Sequence, residues 1–149
     1  MGEYLDARKP DELATLLSGG HDTSFVMLQS SQVFKKPVHA FTAVFPGWNF
    51  NEHEYAENIC KKSGGIFHKV AFEPEHLDDV VDMIRACEEP VLGSTLPLHR
   101  VAKEASQLTD TILGGDGGDT MWGEYYPVGE YHRWVKHQPL PLRKGAHWI

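Results

Sequence analysis

From residue 13 onward, short apolar runs alternate with longer segments in which apolar residues recur every three or four positions. Short runs rich in β-branched and aromatic residues predict strands, whereas the longer periodic segments predict helices. The predicted strands span residues 13–17, 38–45, 66–72 and 110–113. The predicted helices span residues 22–32, 52–63, 76–87 and 96–108.

Each predicted strand but the last is followed by a segment long enough to cross over to a parallel neighbour, which indicates a mainly parallel sheet covered on both faces. The predicted fold class is therefore α/β, a doubly wound parallel sheet in three layers. A chain of 149 residues fits one domain. We assign that domain to residues 13–126, preceded by an N-terminal extension at 1–12 and followed by an irregular tail at 127–149, where no period is clear.

Composition and charge narrow the class of protein. The 41% hydrophobic and 23% charged content is ordinary for a globular protein, and no run approaches the roughly 18 apolar residues of a membrane helix. Because the N-terminus also lacks the features of a secretory signal, we expect a cytoplasmic protein. A net charge of −7 argues against nucleic acid as a partner, although it does not argue against a single nucleotide.

The cysteines and histidines suggest no metal centre. Cys60 and Cys87 are too few and too far apart for a disulfide scaffold or a metal knuckle, so free thiols are expected. None of the nine histidines forms an HExxH pattern or joins a cysteine knuckle. The glycine-rich segments are therefore the stronger candidates for a functional site.

The first such segment, Ser18-Gly19-Gly20-His21-Asp22-Thr23, lies between a predicted strand and a predicted helix. Adjacent glycines let the backbone approach a bulky anion, and the helix that follows offers unpaired N–H groups and the positive end of its dipole. A carboxylate at Asp22 suits a phosphate site when a cation such as Mg²⁺ lies between them. The pattern thus predicts a site for a phosphate-bearing ligand and Mg²⁺. It is neither the Walker pattern nor the dinucleotide GxGxxG pattern.

The second glycine-rich segment runs from Gly114 to Asp119, directly after the last predicted strand. Ligands of doubly wound sheets bind beyond the carboxyl ends of the strands. Both segments fall at such ends, so we expect them to line one crevice.

These segments carry a family resemblance. LLSGGHDTS resembles the pyrophosphate-binding loop, written SGGxDS, of the N-type ATP pyrophosphatases (PP-loop superfamily). LGGDGGDTMWGEY is similar to the LSGxGxDExFGGY stretch of glutamine-hydrolysing asparagine synthetases, and FTAVFPG, NEHEYAENICKKSGG and CEEPVLGSTLPLHRVAKEA resemble family segments in the same order. The resemblance covers residues 13–126 and implies an adenine nucleotide α-hydrolase-like fold and an ATP-dependent, AMP-forming carbon–nitrogen ligase that acts on an aspartate-like carboxylate.

The resemblance also implies a role for each matching residue. The residues expected to contact the adenosine are Leu16 and Ala43. Those expected to contact the phosphates are Ser18, Gly19, Gly20, Asp22 and Thr23. The remaining ones are Gly114 and Gly115 for the AMP moiety, Asp116 for the amino-acid substrate or the acyl-adenylate, and Asp119, which would share Mg²⁺ with Asp22.

The chain departs from the family pattern in several places. Thr120 stands where the family has Glu, and neither Lys136 nor Lys144 has the setting of the lysine that acts in adenylation. Position 2 is Gly, whereas the glutaminase half of the family begins with Met followed by a catalytic Cys. We therefore expect a truncated domain that receives ammonia from solution or from a glutaminase partner. A cluster of aromatic residues between 122 and 134 further suggests a homodimer.

Two alternatives stay open. The chain could be a nucleotide-binding module that holds ATP without turning it over, as the missing lysine motif suggests. It could also be a PP-loop sulfur-transfer enzyme acting on tRNA, which the acidic charge and the absence of a CxxC motif disfavour.

Overall fold

A computed structural model describes residues 1–47, 52–73, 79–89, 95–118 and 136–137. These residues form five helices and four strands. The helices are α1 (Gly2–Arg8), α2 (His21–Val33), α3 (His53–Lys62), α4 (Asp79–Cys87) and α5 (Thr95–Ala105). The strands are β1 (Ala14–Leu16), β2 (His39–Val44), β3 (Ile66–Ala71) and β4 (Ile112–Leu113).

The four strands form one sheet in the order β3-β2-β1-β4, and every neighbouring pair is parallel. Ala14 of β1 pairs with His39 of β2 on one side and with Ile112 of β4 on the other. The chain thus moves outward from β1 to β3, then returns through α4 and α5 to the opposite side of β1. This order confirms the predicted doubly wound parallel sheet and places its switch point between β1 and β4.

Both faces of the sheet are covered, which confirms the predicted three layers. Side chains alternate across a strand, so Leu13 and Leu17 face one side of the sheet while Ala14 faces the other. The first side packs against α2 and α3 through a fully buried cluster that includes Met27 and Cys60. The second side packs against α5 through a second cluster, whose buried members are Ala14, Phe41, Val70, Val101 and Ala105.

The turn from α3 to β3 shows why two glycines follow that helix. Gly64 has φ +71°, a left-handed conformation that ends the helix and that residues with a side chain rarely adopt. A Cβ on Gly65 would lie 2.4 Å from Cε of Met27 and 2.7 Å from the carbonyl oxygen of Val38. The helix can therefore return to the sheet closely only because position 65 has no side chain.

Two described elements differ from the sequence-based prediction by more than two residues at a described boundary. Helix α1 was not predicted, because Leu5 alone supplies its buried apolar contact and a single residue makes no periodic pattern. Its last residue, Arg8, pairs with Asp110 at 3.2 Å, which ties α1 to the chain before β4. Helix α5 ends at Ala105, three residues before the predicted end at 108, because the chain tightens into a turn in which the amide of Leu108 donates to the carbonyl of Ala105 at 3.0 Å.

The chain divides into two units, Met1–Gly115 and Asp116–Ile149. In the second unit the structure describes only residues 116–118 and 136–137, and Gly117 there has φ +87°. The predicted tail at 127–149 lies outside the described residues except at 136–137, and the start of the predicted helix at 76–78 lies outside them as well. Among the helices that the structure describes, none has both the length and the apolar character needed to cross a membrane.

Candidate functional site

The loop after β1 is held by hydrogen bonds among its own residues. The amide of Ser18 donates to Oγ1 of Thr23 at 3.2 Å, and the amide of Gly20 donates to Oγ of Ser18 at 3.2 Å. The two hydroxyl oxygens lie 3.0 Å apart and share a further hydrogen bond. Ser18 and Gly20 are exposed, whereas Thr23 is half-buried. The result is a closed, preorganised turn with hydroxyl groups at the surface.

Helix α2 begins directly at this turn. Gly20 is its N-cap, and its carbonyl accepts the first helical hydrogen bond from the amide of Ser24 at 3.0 Å. Because Gly20 has no side chain, no N-cap side chain bonds to the first-turn amides of α2. The first N–H groups of α2 have no acceptor within the helix itself, and the positive end of the helix dipole lies at this turn. Such a helix start favours an anion.

Gly19 brings the loop against the start of α3. Its φ of +93° lies in the left-handed region, where a residue with a side chain would be strained. A Cβ on this residue would lie 3.1 Å from Cβ of Tyr55 and 3.2 Å from the amide nitrogen of Ala56. Both the conformation and the close approach therefore require glycine at position 19.

Gly115 brings the second glycine-rich segment against the first. A Cβ at this position would lie 2.9 Å from the amide nitrogen of Thr23, 3.0 Å from its Cγ2 and 3.1 Å from the carbonyl carbon of Asp22. The backbone after β4 thus packs on the first turn of α2, as expected if both segments line one crevice. Because β1 and β4 flank the switch point, this is where a doubly wound sheet binds its ligand.

Leu16 and Ala43 lie on the face of the sheet that carries α5. Both are half-buried and pack against the buried cluster that contains Phe41 and Val101. Leu16 pairs with Phe41 in the register of β1 and β2, and Ala43 follows two residues later on the same face. The two predicted adenosine contacts therefore form an apolar surface near the carboxyl ends of two adjacent strands.

The structure brings together part of the predicted site. The residues from Ser18 to Thr23 and Gly115 meet at the first turn of α2, and the neighbouring Gly114 is exposed. Asp116 belongs to the second unit, where it is exposed, and Asp119 lies outside the described residues. The paired carboxylates expected for Mg²⁺ therefore stay a prediction.

Two contacts of the site were not predicted from the sequence. Gly19 was assigned to the phosphates alone, and its packing on Tyr55 and Ala56 was not anticipated. The hydroxyl of Thr42 donates to the carbonyl of Leu17, directly before the loop. A polar residue inside the buried segment HAFTAV was the available indication of this second contact.

The comparison with known proteins identifies the family. The family model described as asparagine synthase matches residues 6–148. The chain belongs to the asparagine synthase family. It is 27% identical over 133 residues to asparagine synthetase [glutamine-hydrolyzing] 1 of Bacillus subtilis, a match that covers 88% of this chain and 20% of that protein. The chain thus spans about a fifth of the length of this curated relative.

Solved structures agree on the fold. The NH3-dependent NAD synthetase from Campylobacter jejuni superposes with a TM-score of 0.54 at 16% identity, over 82% of this chain and 55% of that one. The NMN synthetase from Francisella tularensis superposes with a TM-score of 0.53 at 12% identity, over 83% of this chain and 53% of that one. These similarities confirm the adenine nucleotide α-hydrolase-like fold that the sequence predicts.

Proposed function

We propose that this asparagine synthase family domain binds ATP at the turn from β1 into α2 and uses it in an AMP-forming amide-ligase reaction. The proposal rests on the packing of Gly115 against the first turn of α2, where a Cβ on Gly115 would lie 2.9 Å from the amide nitrogen of Thr23. It joins two glycine-rich backbones at the switch point of the sheet, where a phosphate chain can approach both. The proposed second substrate is an aspartate-like carboxylate.

The loop residues would hold the phosphates by complementary means. The first N–H groups of α2 supply hydrogen-bond donors, and the hydroxyls of Ser18 and Thr23 would join them by rotating away from their partners within the loop. Gly19 and Gly20 keep side chains away from the anion, and Leu16 and Ala43 offer an apolar surface to the adenosine. With these groups, an acidic protein can bind a polyanion without an excess of lysine and arginine side chains.

Asp22 is the residue at this turn that suits a divalent cation, since Mg²⁺ is commonly held by one or two carboxylates together with phosphate oxygens. Asp119 is proposed as its second carboxylate. A bound Mg²⁺ would neutralise the charge that develops on the leaving pyrophosphate. Without such a cation, the carboxylate of Asp22 would repel the phosphates, so we expect nucleotide affinity to depend on Mg²⁺.

In the proposed reaction, a carboxylate oxygen of the substrate attacks the α phosphorus of ATP, the α–β bond breaks, and pyrophosphate leaves. Ammonia then attacks the acyl carbon, AMP departs, and the nitrogen gives up a proton to yield the amide. The protein contributes positioning and charge stabilisation to both steps. Asp116 is proposed to face the amino-acid substrate, and a glutaminase partner or free ammonia supplies the nitrogen.

Titration calorimetry with a non-hydrolysable ATP analogue tests the site. We expect binding that requires Mg²⁺ and that Asp22→Ala abolishes. The matched control is Asp82→Ala, which removes an exposed carboxylate from the first turn of a different helix and should leave the affinity unchanged. An absence of binding by the folded wild-type chain, or equal binding by Asp22→Ala, would refute the proposed site.

Product analysis tests the reaction. Incubation with ATP, Mg²⁺, ammonia and a panel of small carboxylates should yield AMP and pyrophosphate in equal amounts with the amide. Release of ADP instead would contradict the AMP-forming mechanism. Tight binding with no turnover for any carboxylate would support the alternative, a module that binds the nucleotide without cleaving it.

A further inference from the structure

The peptide group between Leu17 and Ser18 is held at both ends by threonine hydroxyls. Its carbonyl oxygen accepts a hydrogen bond from Oγ1 of Thr42 at 2.5 Å. Its N–H donates to Oγ1 of Thr23 at 3.2 Å. Because a peptide group is planar, fixing both its carbonyl and its N–H sets its orientation. That orientation determines how the chain leaves β1 and enters the loop.

The bond from Thr42 lies where the backbone pairing of β1 and β2 ends. The amide of Leu17 still donates to the carbonyl of Phe41 at 2.9 Å, whereas the carbonyl of Leu17 is bound by a side chain. Thr42 is 5% exposed, so its hydroxyl has little access to water. Its β-branched side chain has few rotamers, which keeps the hydroxyl in place.

The effect of this bond extends into the loop through shared partners. Oγ1 of Thr23, which accepts from the amide of Ser18, also donates to the carbonyl of Gly20 at 3.3 Å. Oγ of Ser18 accepts from the amide of Gly20 at 3.2 Å. A rotation of the first peptide group would therefore disturb the loop amides and hydroxyls together.

We propose that Thr42 is a positioning residue of the candidate site: from the core of the sheet, its hydroxyl sets the orientation of the peptide group that starts the phosphate loop. This inference rests on the proposed function, because the loop is taken to bind the phosphates of ATP. Thr42 itself does not contact the nucleotide in this proposal. It acts through the carbonyl of Leu17.

Three variants separate positioning from simple packing. Thr42→Val removes the hydroxyl at nearly constant shape, and Thr42→Ser keeps it. Thr15→Val is the matched control, because Thr15 is also fully buried in the sheet but directs its hydroxyl to the sulfur of Met27 at 3.4 Å, away from the loop. The measurements are the affinity for a Mg²⁺-bound ATP analogue, hydrogen exchange of the Ser18 amide in the ligand-free chain, and the thermal unfolding midpoint.

We expect Thr42→Val to weaken nucleotide binding and to speed exchange of the Ser18 amide, each by about tenfold, as the loss of one buried hydrogen bond implies. Thr42→Ser should restore most of both. Thr15→Val should lower the unfolding midpoint yet leave affinity and Ser18 exchange as in the wild type. A structural role alone would lower stability in both valine variants without separating them at the loop.

The inference is overturned if Thr42→Val and Thr15→Val give the same affinity and the same Ser18 exchange. If the wild type binds no nucleotide, the proposed function fails, while the exchange of Ser18 still decides whether Thr42 positions the loop. Should Thr42→Val not fold, Thr42→Cys replaces it, because a thiol has a similar size and is only a weak donor. Wild-type exchange of Ser18 in the folded cysteine variant would then overturn the inference.

Discussion

Gly115→Ala gives the sharpest test of the contact between the two glycine-rich segments. The added Cβ would stand 2.9 Å from the amide nitrogen of Thr23 and 3.1 Å from the carbonyl carbon of Asp22. These are backbone atoms at a helix start, so a side-chain rotation cannot relieve the whole contact. Overpacking of this kind destabilises a fold by about 1–3 kcal/mol. In a chain of this size that lowers the unfolding midpoint by about 3–10 °C.

The same contact should affect the nucleotide. If about half of the strain opposes binding, about 0.5–1.5 kcal/mol is lost, which weakens affinity by about two- to tenfold. Calorimetric titration with a Mg²⁺-bound ATP analogue, below the unfolding midpoint, measures this affinity directly. Gly65→Ala is the control: its Cβ would meet Cε of Met27 at 2.4 Å and the carbonyl of Val38 at 2.7 Å, at the amino end of β3 and away from the loops. It should lose stability without a change in affinity.

Gly20→Ala is a second control for Gly115→Ala. A Cβ on Gly20 would meet only Oγ of Ser18, at 3.4 Å, which is an ordinary contact. Gly20→Ala should therefore be far less destabilising than Gly115→Ala. A Gly115→Ala variant that unfolds at the wild-type temperature and binds the analogue with wild-type affinity would show that the two segments are not in tight contact.

Three further predictions concern residues outside the loops. Asp79 is 8% exposed and accepts a hydrogen bond from Lys103 at 2.8 Å, which lowers the pKa of its carboxyl group below 3.8. Chemical denaturation at pH 7 should therefore show Asp79→Asn to be less stable than the wild type by about 1–2 kcal/mol. Burial, and to a smaller extent His39 of β2, lower the pKa of His68 below 6.5. Because the unfolded chain then binds a proton more readily than the folded chain, the free energy of unfolding should fall as the pH drops below 6.5. Burial raises the pKa of the Cys60 thiol to about 11 while Cys87 is exposed, so a thiol reagent should label Cys87 quickly and Cys60 only after unfolding.

Each of these predictions has a control and a contrary outcome. Asp82→Asn removes an exposed carboxylate from the same helix as Asp79 and should change stability little. Equal effects of the two variants would show that the pairing of Asp79 with Lys103 does not stabilise the fold. His68→Gln should flatten the decline in stability below pH 6.5, and an unchanged decline would assign it to another group. Rapid labelling of both thiols in the native chain would show that Cys60 is not buried in solution.

The strands and helices of this domain show what sequence patterns can predict. The run at 38–45 is apolar, β-branched and closed by Pro46-Gly47, and the structure has β2 at His39–Val44. The predicted helices 22–32 and 52–63 agree with α2 and α3 to one residue at each end. These elements were predictable because strand and helix periods are expressed within about ten consecutive residues. Helix α1 was not, since Leu5 alone carries its packing.

The candidate site was likewise predicted only in part. Residues 18–23 were found because their chemistry is local: two glycines, hydroxyls and a carboxylate stand in one turn before a helix. Thr42 was not found, because its importance depends on which atom of another strand its hydroxyl reaches. Asp116 and Asp119 stay predictions from family resemblance.

The sequence by itself determined the local elements, the strand-to-helix turn at Ser18–Gly20 and the glycines that suit an anion there. Only the tertiary structure decided that β4 lies beside β1, so that Gly115 packs on the first turn of α2. The physical reason is that a backbone turn depends on the residues within it, whereas strand neighbours follow from burying both faces of a sheet through right-handed crossovers. Contacts between segments far apart in the sequence thus arise from the packing of the whole domain.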